Sequence, residues 1–482
     1  MSRREEATRE LTAELRFGVR LVERFARFSE DTNPIHIDRI AARRLLYGER
    51  VAHGMLVTLW ALACLREALP DCSSIKSIAG SLKAPVRVGT RARIVLHRDA
   101  GLWRAVVRCG SDLCASFRIE TRAAHSALNG QSERSDSGER KPRHPQICHE
   151  RREAELSQCS GTISPLEFQP GELFRGLAGF DRAQCQMLAA LSRLVGMECP
   201  GLHSALVGFD IDFAQNAKAP GDIAYKTASF DPRFKFLSLK LSGGVFGRVD
   251  CLVRPAPAEQ MPMAEVMELV PYGLFEGKHA LVVGGSRGIG EVIAKGFAAG
   301  GGRCTLTYAS GAEDAARVVA DINRVEPKMA SNMRWDLLGS SPDLVGRQFT
   351  HAFFLASPPI RKGGVGGFDG TLYRRFQRYY VAGLELVLRR FAACADQEPV
   401  FVFVSSTFVE SAPPGFAEYA NAKREGELIC QQLGDLLKLK VKVWRLPPLR
   451  TDQTSALADG KVEEVCPVVA NRLKDLVSSK FA

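Results

Sequence analysis

"FEGKHALVVGGSRGIGEVIAKGFAAGGGRCTLTYAS", residues 275–310, changes character three times within one short span. An apolar run at 280–283 reads as a buried strand, a glycine-rich turn follows, then a helix, then a second strand. A lone glycine pattern says little, but strand, turn and helix in succession make a βα unit of a parallel sheet whose turn can face a dinucleotide pyrophosphate. Gly284, Gly288 and Gly290 allow a tight turn and close approach of phosphate to the helix N-terminus. The candidate cofactor loop is Gly284, Ser286, Arg287, Gly288, Ile289 and Gly290.

Further along stands "SSTFVESAPPGFAEYANAKREGE", with Ser405, Ser406, Tyr419 and Lys423. Tyr-x3-Lys on a helix puts both side chains on one face. Together the glycine loop and this motif resemble the short-chain dehydrogenase/reductase family over about residues 272–455. The resemblance implies a doubly wound α/β Rossmann domain, with Tyr419 as proton donor or acceptor, acidified by the Lys423 cation. It also implies that Ser406 hydrogen-bonds the substrate oxygen and that Lys423 and Tyr419 contact the cofactor. Asp336 matches the position near the adenine, and Thr451 that of the nicotinamide contact. The second strand ends "TYAS" at 307–310, without the acid that takes a ribose 2′-hydroxyl, while Arg287 can meet a 2′-phosphate, so NADPH (NADP) is expected in preference to NADH. This chain also departs from the family pattern: Val283 replaces the usual Thr, "LASP" at 355–358 replaces Asn-Asn-Ala-Gly, and the helix Asn expected near Tyr380 is missing.

Upstream, the chain divides at two places. Residues 123–161 are polar and charged with little aliphatic periodicity, the pattern of a mobile linker, and "RPAPAEQMPMAEV" at 254–266 reads as a stiffer connector. Expected domains are therefore 1–122, a linker at 123–161, 162–262, and 270–482. The first two domains look like degenerate copies of one plan: a helical stretch, a strand, an Ala-Pro turn (Ala84-Pro85, Ala219-Pro220), then a meander of alternating strands. One helix wrapped by an antiparallel sheet is a hotdog, and two in tandem give an α+β double hotdog. The opening "MSRREEATRELTAELR" reads as a short helix and lacks the apolar core of a secretory signal.

Within the first domain, "FSEDTNPIHID" at 28–38 is followed by "AHGM" at 52–55. These motifs resemble the R-specific enoyl-CoA hydratase, or MaoC-like dehydratase, family over most of residues 15–122. Moving water across an enoyl thioester needs a group to move a proton, another to manage the β-hydroxyl, and donors for the enolate oxygen. Asp31 and His36 would grip one water, Asn33-Pro34 would fold the segment back, and Gly54 would offer its N–H at a helix start. The plainer alternative has Asp31 capping a turn and His36 on the surface. Asp38 and His53 read as structural. The second domain has no Asp-x4-His pair and is expected to shape a pocket without doing chemistry.

Bulk composition fits this division. The chain has 482 residues, 45% of them hydrophobic, too many for one core. Thirteen cysteines without a CxxC pair suggest core residues in a reducing, cytoplasmic setting, with no metal site. No apolar run suits a membrane span. The net charge of +11 lacks the basic-aromatic interleaving of a nucleic-acid binder and suits phosphate-bearing cofactors, acyl-CoA or an acyl carrier protein. A reductase and a dehydratase in one chain would act consecutively on 3-oxoacyl and 3-hydroxyacyl thioesters, and the reductase resemblance implies a homo-oligomer. Two alternatives remain: a single-activity reductase of a non-thioester ketone or sugar, or a non-enzymatic carrier-protein docking module.

Overall fold

The computed structural model describes residues 10–45, 47–99, 101–122, 148–214, 221–339, 341–363, 367–454 and 462–478. Two compact units result, Met1–Ala256 and Pro257–Ala482.

The first unit begins with β1 (Leu11–Arg16), α1 (Val19–Ser29), the single turns α2 (Pro34–Ile37) and α3 (Arg39–Ala42), and the long α4 (Gly54–Ala68). Strands β2 (Ile75–Leu82), β3 (Arg91–Asp99), β4 (Leu102–Cys109) and β5 (Asp112–Thr121) follow. Then come α5 (Glu153–Leu156), β6 (Ser160–Ile163), α6 (Pro170–Leu173) and α7 (Arg182–Arg193), and finally β7 (Ser204–Phe213), β8 (Ile223–Asp231), β9 (Phe236–Gly243) and β10 (Val245–Val253). All ten strands form one sheet in the order β1-β3-β4-β5-β2-β7-β10-β9-β8-β6. Its two five-strand halves meet where β2 runs antiparallel to β7, with Gly80 opposite Phe209. A Cβ on Gly80 would lie 2.5 Å from the Phe209 ring, so only glycine lets that ring cross the seam. Helix α4 is buried at every residue from Met55 to Leu65, as expected of a helix apolar on all sides. Its counterpart α7 is buried at every residue from Ala183 to Arg193.

Two expectations change here. The N-terminal segment is a strand from Leu11 onward: Glu10, Thr12, Glu14 and Arg16 are the more exposed of an alternating pattern, and Leu11, Ala13 and Leu15 pack on the core beside β3. Helical charge pairing lost to a period of two that a neighbouring strand could bury. The polar segment expected to run to 161 becomes ordered earlier, with α5 and then β6 pairing with β8. Residues 123–147 and the Ala219-Pro220 turn lie outside the described residues.

The second unit opens with α8 (Met263–Leu269), so it starts before residue 270. Buried Lys295 donates to the Met261 carbonyl (2.9 Å) and pairs with Glu291 and Asp321, which ties this lead-in to the unit. The rest alternates: β11 (His279–Val283), α9 (Gly288–Ala299), β12 (Arg303–Tyr308), α10 (Ala312–Val325), β13 (Ala330–Arg334), β14 (Phe349–Phe354), α11 (Gly370–Gln377), α12 (Leu384–Ala392), β15 (Ala395–Ser406), α13 (Phe408–Ser411), α14 (Ala417–Leu436), β16 (Lys440–Leu446) and α15 (Val465–Ser478). The six strands are all parallel, in the order β13-β12-β11-β14-β15-β16. Ala280 and Val282 of β11 enter one core and Leu281 and Val283 the other, so both faces of the sheet are covered. This is the doubly wound order, which reverses direction between β11 and β14 and leaves a crevice beyond their carboxyl ends.

Candidate active sites

In the first unit, Asn33 sets the geometry. Its side chain caps α2 by accepting from the Ile35 N–H (3.2 Å), and its amide donates to the carbonyls of Gly196 (2.8 Å), Leu202 (3.2 Å) and Gly201 (3.3 Å). The motif loop is thus stitched to the second half of the sheet. Asp31 is 2% exposed, and its carboxylate accepts from Ser192 Oγ at 2.7 Å and from the Asn33 N–H at 3.2 Å. His36 Nε2 lies 4.0 Å from Asp31 Oδ2, and His53 Nε2 lies 3.9 Å from the same oxygen. The two imidazoles stack with centroids 3.7 Å apart.

Carbonyl partners fix the tautomers. His36 Nδ1 sits 2.8 Å from the Val51 carbonyl and must carry a proton, which leaves the Nε2 lone pair towards Asp31. His53 Nε2 donates to the Asp31 carbonyl at 3.0 Å, so its bare Nδ1 is buried without a hydrogen-bond partner. Burial raises the Asp31 carboxyl and lowers His36, each opposed by the charge of the other. His53 is lowered well below the usual range by burial and by His36. The shifts bring carboxyl and imidazole closer in acidity, which favours proton exchange between them and a shared water.

Gly54 begins α4, and no side chain caps that helix start. A Cβ there would meet the Leu82 and Leu206 side chains at 2.7 and 2.9 Å, so glycine keeps a side chain out of an apolar wall beside the helix start. Asp38 accepts from the Ile40 and Ala41 N–H groups and caps α3.

Sequence reasoning did not single out Ser192 or Gly196, and it placed His53 outside the constellation. Helix α7 widens into a π-helical turn over Leu194–Glu198, and a Cβ on Gly196 would fall 2.2 Å from Asp31 Oδ1. The only available signal was a small residue on a buried helix, and small residues there are ordinary. Ser192→Ala removes a charge-assisted bond of about 1.5–3 kcal/mol. The melting temperature should fall accordingly, with Gly196→Ala at least as damaging because the new methyl displaces the carboxylate.

In the second unit, the glycine loop lies in the crevice between β11 and β14. Gly284 adopts φ +89°, and a Cβ on it would be 2.9 Å from the Ala356 nitrogen. A Cβ on Gly290 would collide with the Gly284 carbonyl at 2.2 Å. The cradle therefore needs glycine at both positions, and it leads directly into α9 as a phosphate cradle should. Ser286 is buried and Ile289 packs on the core. Arg287 pairs with Asp452 at 3.5 Å, next to Thr451, whose side chain faces Gly288. At the end of β12, Arg334 Nε donates to the Ala309 carbonyl (3.3 Å), which places a second cation beside the acid-free strand end. Asp336 follows β13 and accepts from the Leu338 N–H.

Ser406, Tyr419 and Lys423 come together at the ends of β15 and α14. Lys423 Nζ donates to the Val404 carbonyl (2.7 Å) and sits 4.0 Å above the Tyr380 ring. Burial lowers this lysine to about 7. The expected acidification of Tyr419 does not appear: burial pushes the phenol up to about 12, opposed by the Ser406 hydroxyl, while Lys423 Nζ is 6.0 Å from its ring centroid. The ammonium is directed at Val404 and Tyr380 instead. Tyr380 occupies a π-helical turn (Arg378–Gly383) between α11 and α12, at the position where the family's Asn is absent, and its hydroxyl bonds Ser357.

These geometries define a class: an α+β unit with a buried Asp/His pair, and a doubly wound α/β unit with a glycine cradle and a Ser/Tyr/Lys group. Residues 2–106 match the MaoC like domain family, so the chain carries a MaoC-like domain at its N-terminal end. The chain is 39% identical over 77 residues to the (R)-specific enoyl-CoA hydratase of Aeromonas caviae, covering 15% of this chain and 56% of that protein. It is 39% identical over 66 residues to the enzyme of the same name from Rhodospirillum rubrum, covering 14% and 46%. The chain thus spans about half the length of the curated relatives it matches. Solved structures similar to the second unit are short-chain dehydrogenases and reductases. They include an oxidoreductase, yciK, from E. coli (18% identity, TM-score 0.38, covering 42% of this chain and 89% of that one) and the angucycline C-6 ketoreductase LanV with bound NADP (22%, 0.37, 43% and 91%). The fold of this unit rests on its own strand order. Among the described residues, no helix is long and apolar enough to cross a membrane.

Proposed function

We propose that the protein is a bifunctional enzyme of acyl thioester metabolism. It reduces a 3-oxoacyl thioester to the 3-hydroxyacyl thioester with NADPH, and reversibly dehydrates the (R)-3-hydroxyacyl form to the trans-2-enoyl thioester. The first unit is read as a double hotdog whose second half supports, and does not duplicate, the Asp31/His36 site. One observation carries the dehydratase reading: a buried carboxylate and an imidazole lone pair face each other 4.0 Å apart, held by Ser192 on one side and the Val51 carbonyl on the other. That gap suits one shared water. In hydration, His36 Nε2 takes a proton from the water, oriented by Asp31, as the water oxygen bonds the β-carbon and the C=C π electrons move onto the thioester oxygen held by the Gly54 N–H; the imidazolium then returns that proton to the α-carbon as the enolate collapses.

In the second unit, the glycine cradle and the open start of α9 suit a dinucleotide pyrophosphate, and the bound nicotinamide would supply hydride. Ser406 positions the ketone oxygen and Tyr419 donates a proton to it. A phenol held near 12 stays protonated at neutral pH, which favours reduction over alcohol oxidation. Lys423 and Thr451 would hold the nicotinamide end. NADPH preference is assigned to Arg287, released from Asp452, together with Arg334. The carrier is CoA or acyl carrier protein, the setting cytoplasmic, and the assembly a homo-oligomer.

Because burial holds His36 below 6.5, its neutral form persists through mildly acidic pH. The acid limb of the hydration profile, read as kcat/KM against pH, is therefore expected below pH 6.5, and a midpoint above that value would contradict the assignment of His36 as base. The reading as a whole is tested by incubating purified protein with a 3-oxoacyl thioester and NADPH. Nucleotide oxidation and an enoyl product are expected; absence of both would contradict it.

A further inference from the structure

Between the α5 segment and the end of β10 the first unit holds a cavity of about 550 Å³. Four cations line it, Arg151, Arg152, Lys235 and Arg254, against two carboxylates, Glu150 and Glu153. Both acids are engaged, Glu150 with His203 at 3.0 Å and Glu153 with Lys235. Arg254 is the unusual member. It is 3% exposed, yet its guanidinium meets only carbonyls: Nε donates to Ser204 and Nη2 to Leu202, each at 2.6 Å, while Nη1 is buried without a hydrogen-bond partner. Burying a guanidinium without a counter-charge costs several kcal/mol, and two carbonyls do not neutralise it. Desolvation accordingly lowers Arg254 to about 10.

Arg254 links this cavity to the dyad. The Leu202 carbonyl accepts from both Arg254 and Asn33, and the Arg254 charge is close enough to depress His36. An anion seated here would complete the hydrogen bonding of Arg254 within reach of the reacting thioester.

We propose that this cavity is an anion subsite of the same active site, in which the Arg254 guanidinium, with Arg152 and Lys235, binds an oxyanion group, phosphate or carboxylate, carried by the thioester substrate. The proposal rests on the thioester reading above. A phosphate would come from the carrier arm, a carboxylate from the far end of the acyl group. Glu150 and Glu153, already paired, leave room for a net negative ligand, and Arg151 is steered by its own bond to the Glu198 carbonyl (2.6 Å).

Three substrates separate the sources when offered to the full chain: a short enoyl-CoA, the same enoyl group on uncharged pantetheine, and an enoyl-pantetheine whose acyl chain ends in a carboxylate. At least one anionic thioester should exceed the neutral one by about tenfold or more in kcat/KM. An advantage for CoA assigns the subsite to phosphate, and an advantage for the carboxylate-ended chain assigns it to the acyl group. Arg254→Gln should erase that advantage, read as the ratio of anionic to neutral kcat/KM, since the same change also frees the Leu202 carbonyl that Asn33 shares; Arg152→Ala and Lys235→Ala should each reduce the ratio, and they keep the test open if Arg254→Gln does not fold. Equal use of all three thioesters, or an equal loss on all three in Arg254→Gln, overturns the subsite. Should no thioester be hydrated, the thioester reading fails, and calorimetric titration decides the subsite separately: binding of CoA or pyrophosphate lost in Arg152→Ala and Lys235→Ala supports it, and no binding of either overturns it.

Discussion

Asp31→Asn is expected to slow hydration of an enoyl thioester by about a hundred- to ten-thousandfold, the range for loss of a positioned acid/base group, while leaving ketone reduction unchanged. The Asp31 carboxylate accepts from Ser192 and the Asn33 N–H and lies within 4.0 Å of His36 and His53, and an amide in its place keeps the size but cannot exchange a proton. His36→Ala should cost a similar factor, because His53 cannot substitute: its Nε2 proton is committed to the Asp31 carbonyl and its bare Nδ1 is buried. A thermal melt close to that of the native protein would separate lost chemistry from lost fold. If His36→Ala kept more than about a tenth of the hydration rate, the dyad would not be the catalytic pair.

Tyr419→Phe is expected to remove reduction by a comparable factor, with hydration intact. Tyr419 is packed edge-on against Phe376, Tyr380 and Phe408, so phenylalanine keeps the packing and deletes only the hydroxyl. NADPH binding, followed by fluorescence, should survive, because the glycine cradle is untouched. A reductase unhindered by this change would place the proton donor elsewhere. Because burial keeps the Tyr419 phenol protonated up to about 12, alcohol oxidation should rise only towards alkaline pH, where the phenolate begins to form.

How much of this was legible in the sequence varies with the range of the interaction. The βα unit at His279–Ala299 showed itself because a strand period, a glycine turn and a helix period all lie within one local stretch. The closeness of Asp31 and His36 was legible for the same reason: Asn33-Pro34 turns the chain over five residues. Ser192 and Gly196 were not, since their meaning arises only when α7 packs against a loop some 160 positions earlier. The strand at Leu11–Arg16 hid behind charges that alternate as they would on a solvated helix, until β3 supplied a partner. Lys423 offered the opposite lesson. Its spacing from Tyr419 suggested an acidified phenol, but the Val404 carbonyl and the Tyr380 ring, both brought in by the fold, hold the ammonium elsewhere.

The central claim is that one chain holds two separable chemistries on the same thioester. Its most direct measurement is mass analysis of the products formed from a 3-oxoacyl thioester by native, Asp31→Asn and Tyr419→Phe proteins with NADPH. The account predicts hydroxyacyl and enoyl products from the native protein, hydroxyacyl product alone from Asp31→Asn, and unchanged substrate from Tyr419→Phe. Enoyl product formed by Asp31→Asn at the native rate, or hydroxyacyl product formed by Tyr419→Phe at the native rate, would contradict it.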